Sequence, residues 1–89
     1  MLSKEPIDLE NVSGKDIDKE ILRLGMIAEL DAISLYEQLA SKTEDKRIKR
    51  TLLDIAKEEK THIGEFQALL LERDFEQIEE LERGKKEIK

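Results

Sequence analysis

The sequence contains no cysteine and no tryptophan, and only one histidine, one proline and one tyrosine. Without cysteine neither a disulfide framework nor a thiolate metal site can form. Any metal must then be held by carboxylate, imidazole or water, a donor set that suits iron, manganese or zinc. Long apolar runs are missing as well: none approaches the roughly 20 residues that span a bilayer. Residues 1–11 carry Lys4, Glu5, Asp8 and Glu10 where a secretory leader would be apolar. These two absences lead to the expectation of a cytoplasmic protein with no membrane partner. Positive charge is in deficit, with 16 Lys and Arg against 22 Asp and Glu and a net charge of -6. Binding driven by phosphate neutralisation is disfavoured, so no nucleic-acid partner is expected and cations are the better ligands. Aromatics are scarce too. A chain of 89 residues with two phenylalanines and one tyrosine buries only part of its unfolded surface alone, and a homo-oligomer is expected.

What is present is charge and helical periodicity. Residues 1–15 hold Pro6 and Gly14 and show no helical period, and they read as an extended or poorly ordered lead-in. From Asp16, Ile17, Ile21, Leu24, Ala28, Leu35 and Leu39 recur at the three-and-four spacing of an amphipathic helix ending near Ala40. Residues 41–45 are polar and make the turn, with Ser41 or Thr43 as the cap of the next helix. A second run, Ile48, Leu52, Ile55, Ala56, Ile63, Phe66, Leu69 and Leu70, continues to about Arg73. That helix would be roughly 45 Å long. So short a connection makes the two helices an antiparallel hairpin. Asp74 is placed to cap a short third helix over 75–83, with Ile78 and Leu81 turned inward and Gly84 ending it before a charged tail over 84–89. The expected architecture is all-α: one helical domain over 16–83, a two-helix hairpin plus a short C-terminal helix.

Three polar residues interrupt the apolar faces. Glu29 has Gly25, Met26, Ala32 and Ile33 as its helical neighbours, and Glu59 has Ile55, Ala56, His62 and Ile63. Taken alone, Glu29 reads as a side chain that snorkels to water or meets a lysine. Likewise, a lone histidine beside a helix face reads as solvated or as core. Together they read differently. Glu59 and His62 form an E-x-x-H, which puts both side chains about 60° apart on one helix face, able to reach one ion. With the turn centred near Glu44, Glu29 lies fifteen residues before it and Glu59 fifteen after, so an antiparallel pair sets them at one height. Ferritin-like di-iron bundles take a Glu from each of two helices and a Glu-x-x-His from each of the other two. This chain has one of each. Because His62 is the only histidine, a second E-x-x-H must come from a second copy, across a two-fold axis. Four carboxylates and two imidazoles carry a formal charge of about -4, which two ferrous ions cancel. Glu29, Glu59 and His62 are therefore the candidate metal and catalytic residues. Tyr36, one heptad past Glu29, is a candidate neighbour of the metals or a packing residue. Asp31, Glu58 and Glu65 are candidates for an iron access path or simply a solvated acidic face.

The segments Ala28-Glu29-Leu30-Asp31-Ala32-Ile33-Ser34-Leu35-Tyr36-Glu37-Gln38 and Glu58-Glu59-Lys60-Thr61-His62-Ile63-Gly64-Glu65-Phe66 resemble the encapsulated ferritins, above all the archaeal form fused to an encapsulin shell protein. The resemblance covers about residues 21–71. It implies that Glu29, Glu59 and His62 are iron ligands, with Glu59 as the bridge and Tyr36 nearby, and that two iron ions sit at the interface of a dimer shaped as a ferritin-like four-helix bundle. It also implies ferroxidase activity, a decamer ring of five dimers and work inside an encapsulin nanocompartment. Two other readings stay open. One is a rubrerythrin-like peroxide reductase, although the cysteines of a rubredoxin iron are missing. The other is a metal-free helical oligomerisation module.

Overall fold

A computed structural model describes residues 8–14 and 16–89. Three helices follow one another: α1, Ile17–Lys42, α2, Lys46–Leu71, and α3, Phe75–Glu87. α1 and α2 pack along their length, while α3 meets only the end of α2. The molecule is a hairpin with an arm. Its radius of gyration, 16.0 Å, exceeds the value of about 12 Å expected of a compact chain of this length.

Part of the expected lead-in, residues 1–7 and 15, lies outside the described residues. The rest is not featureless: Leu9–Asn11 forms a single 3-10 turn, with the Val12 amide donating to the Leu9 carbonyl. α1 runs two residues further than its apolar period suggested, because Ser41 donates its hydroxyl to the Gln38 carbonyl and stays in the last turn. The connection is thus only Thr43 to Asp45, and the cap of α2 is neither Ser41 nor Thr43. Asp45 holds that place, its Oδ1 accepting the amides of Arg47 at 2.8 Å and Ile48 at 3.0 Å. The carboxylate wins because it stands directly before the first helical residue, where it reaches two otherwise unsatisfied donors at once. An Asp45→Ala chain is expected to lose about 1 kcal/mol of stability, measurable as a lower urea midpoint with an unchanged slope.

α2 has 26 residues, about 39 Å, and it ends two residues earlier than expected. Asp74 caps α3 as anticipated, Oδ1 accepting the Gln77 amide at 3.1 Å. Its other oxygen accepts from Arg23 of α1 at 3.0 Å, and Arg23 also reaches Glu20 at 3.0 Å. One carboxylate therefore both starts α3 and ties that start to the hairpin. Two expectations for α3 need correction. Gly84 does not end it: no glycine among the described residues has a positive φ, so the left-handed stop that glycine favours is not formed. The helix continues to Glu87, supported by the Arg83–Glu80 and Arg83–Glu87 pairs and by Lys85 and Lys86 in its last turn. Nor do Ile78 and Leu81 turn inward; both are exposed, because amphipathicity states that a face needs cover and not what supplies it.

The seam between α1 and α2 buries Leu22, Ile33, Ala40, Ala56 and Leu70. It is narrower than the apolar stripes. Ala28, Leu39, Ile48 and Leu69, assigned to the inward stripes by their spacing, are exposed, as are Ile21, Leu30 and Leu53. A hairpin can bury only the facing arc of each helix, so a second apolar arc is left on its flank.

Candidate metal centre

Near the middle of the seam the register brings Glu29 of α1 level with His62 of α2, and Glu59 lies one turn away on the same helix. His62 Nδ1 stands 3.5 Å from Glu29 Oε1 and 3.6 Å from Glu59 Oε2. One ligating atom from each of the three residues lies within 4.8 Å of the others, and this is the one such cluster among the described residues. The separations are too long for good hydrogen bonds. They are slightly wider than the roughly 3.0–3.4 Å at which two bonds of about 2.1 Å to one ion would hold neighbouring donor atoms.

The surroundings point to a cation. The side chains of Glu29 and Glu59 are 18% and 20% exposed, so both carboxylates are drawn partly out of water, while His62 at 44% faces the open flank. Glu29 Oε2 is buried and has no hydrogen-bond partner. An orphaned buried carboxylate oxygen is costly and asks for a cation. Among the described residues no lysine supplies one: Lys60, the one inside the E-x-x-H, pairs with Glu37 at 3.2 Å. A buried orphan oxygen beside a second carboxylate and an imidazole is a donor set that suits iron, with all three donors on rigid helices.

The other candidates are not part of this cluster. Tyr36 is half-buried two turns along α1, and its hydroxyl makes no hydrogen bond among the described residues. Asp31 lines a shallow surface groove with Ile27, Leu30 and Ser34. Glu58 and Glu65 are exposed on α2.

Two features went unread in the sequence. The Arg23–Asp74 pair spans 51 residues, and no local pattern announces it. Gly25 did carry a signal, a glycine in the middle of an otherwise strong helix. An added Cβ there would stand 3.1–3.2 Å from three atoms of the Phe66 ring.

The family model described as Rubrerythrin matches residues 20–89. A ferritin-like-encapsulin shell fusion protein of Pyrococcus furiosus is 53% identical over 91 residues, an alignment covering all of this chain and 26% of that protein. The chain thus spans about a quarter of that relative's length. The crystal structure of the encapsulated ferritin domain from Pyrococcus furiosus superposes with a TM-score of 0.83 at 49% identity, covering 99% of this chain and 90% of that one. A full-length match in sequence and a matching three-helix arrangement place this chain in the rubrerythrin family, with a ferritin-like fold, as a member of the encapsulated ferritins.

Proposed function

We propose that two copies of this chain join across the open flank of the hairpin into a four-helix bundle that oxidises Fe(II) to Fe(III). The observation that carries this reading is the convergence of Glu29, Glu59 and His62 on a point where a buried carboxylate oxygen has no partner. Three donors from each copy give six around two ferrous ions, which are the substrate. The exposed apolar arc and the half-exposed His62 ring lie where the second copy would cover them.

In this mechanism the chain's own residues bind and orient. Glu29 and Glu59 supply two negative charges per copy, so a pair neutralises two Fe(II) that would otherwise repel one another. Glu59 is the carboxylate that would be shared between them. His62, presenting Nδ1, completes the donor set without adding charge. Two Fe(II) yield two electrons, which reduce dioxygen and two protons to hydrogen peroxide, or peroxide and two protons to two waters. Tyr36, two turns along α1, is a packing residue rather than a ligand in this reading, and Asp31, Glu58 and Glu65 would offer an acidic approach for incoming cations. A hairpin has no interior for a mineral, so the Fe(III) is stored elsewhere, within an encapsulin shell like the one fused to the relative. Five dimers in a ring would bring ten chains to that compartment.

One observation favours a second reading. The family match is to rubrerythrin, and peroxide consumption without net Fe(II) turnover would mark a peroxide reductase; these 89 residues hold no cysteine, so a rubredoxin-type iron feeding it would lie outside them. The test is aerobic Fe(II) oxidation by the purified chain, with dioxygen and peroxide followed separately. It should far exceed the protein-free rate. Because unneutralised carboxylates at the interface repel, Fe(II) should also move the chain to a larger species in size-exclusion chromatography relative to chelator. Profiles that coincide would end the coupling of metal to assembly.

A further inference from the structure

The described helices contain three glycines, and two of them, Gly64 and Gly84, face open space. Gly25 does not. The end of the Phe66 ring lies against it so closely that an added Cβ would sit 3.1 Å from Cζ and 3.2 Å from Cε1 and Cε2. Those distances are tighter than ordinary van der Waals contact, so either the ring or the helix would have to yield. Glycine weakens a helix interior, and at this one position it makes room for an aromatic ring from the facing helix.

The place of this contact matters. Gly25 is four residues, about one turn, before Glu29, and Phe66 is four residues after His62. In an antiparallel pair those two steps go to the same level, directly beneath the cluster. The separation of two packed helices is set by the side chains at their contact. The ring edge seated on a bare Cα therefore sets how near α1 and α2 come beside the three donors.

We infer that Gly25 and Phe66 are positioning residues for the metal centre: a notch and key that hold Glu29 within reach of the ion bound by Glu59 and His62. This rests on the proposed metal centre. A methyl group at Gly25 pushes the helices apart by a few tenths of an ångström at one turn's distance from donors that tolerate little slack. The same contact covers the lower side of the centre with apolar surface, limiting water there.

The test is a double-substitution cycle read by Co(II) binding, using both the titration and the ligand-field absorption of the bound ion. G25A is expected to weaken Co(II) binding about tenfold, in the range of changes just beyond a metal's ligands, and to alter the absorption band. The metal-free melting temperature should change little, the helix preference of alanine offsetting the crowding against the ring. A purely structural defect would move that temperature down instead. Leucine ends at Cδ, short of the ring atoms that crowd the methyl, so adding G25A in the F66L background should cost almost nothing. A G25A chain that fails to fold, or melts well below the unaltered chain in chelator, would show a packing role only and overturn the inference. Equal costs in both backgrounds, or G25A binding Co(II) like the unaltered chain, would overturn it. If the unaltered chain itself takes up no Co(II) or Fe(II), the metal-centre reading fails first.

Discussion

A chain carrying Glu59→Ala and His62→Ala together should oxidise Fe(II) more than about a hundredfold more slowly than the unaltered protein, approaching the protein-free rate. The size of the effect comes from the donor count. Each copy loses two of its three candidate ligands, whereas loss of groups that merely orient ligands already costs about 10- to 100-fold in metal affinity or activity. The same variant should fold. Both side chains are partly exposed in the protomer, alanine is a strong helix former, and removing Glu59 relieves its repulsion with Glu29. Helical circular dichroism and the melting temperature in chelator should therefore match or exceed those of the unaltered chain. Loss of oxidation with retained fold assigns the activity to this cluster. An undiminished rate would remove the cluster from the reaction and leave the hairpin as an oligomerisation module.

The second large effect concerns stability. Leu70 is 3% exposed and closes the open end of the seam, at the level of Leu22 in the antiparallel register. Leu70→Ala should cost about 3 kcal/mol, the transfer and cavity penalty of a buried leucine. That is a large share of the roughly 5–15 kcal/mol available to a small domain, and it corresponds to a fall on the order of 15 °C in melting temperature. Leu69 offers the control: it is adjacent in sequence but exposed in the protomer, so Leu69→Ala in chelator at low concentration should cost under about 1 kcal/mol. Urea titrations at one fixed protein concentration separate the two. Equal losses would mean that burial in the protomer does not describe the seam. A Leu69→Ala loss that grows with protein concentration would instead mark Leu69 as part of the surface between copies.

Much of the fold and of the site is legible in the sequence, and the reasons can be given residue by residue. The period of Ile17, Ile21 and Leu24 and that of Ile48, Leu52 and Ile55 identify helices because side chains on one face must recur at 3.6 residues whatever they pack against. Equal spacing of Glu29 and Glu59 from the turn brings them near one another because a short connection forces an antiparallel pair, yet the level is one turn off: His62 is the residue that stands across from Glu29. The caps are less legible. Ser41, Thr43 and Asp45 are all competent acceptors, and the residue that caps is the one the last turn of α1 leaves free. The arm is least legible. Ile78 and Leu81 show that α3 has an apolar face, yet its direction depends on Asp74 being held by Arg23, 51 residues away.

The order of residues by itself determined three helices, an antiparallel hairpin and the candidate donors brought within about one turn of each other, since these arise from local periodicity and a short loop. Only the tertiary structure decided that Glu29 Oε2 is buried without a partner, that Lys60 turns to Glu37 and that Gly25 receives the Phe66 ring. Each depends on distances between helices, which the packing of side chains sets and no spacing along one strand of sequence contains.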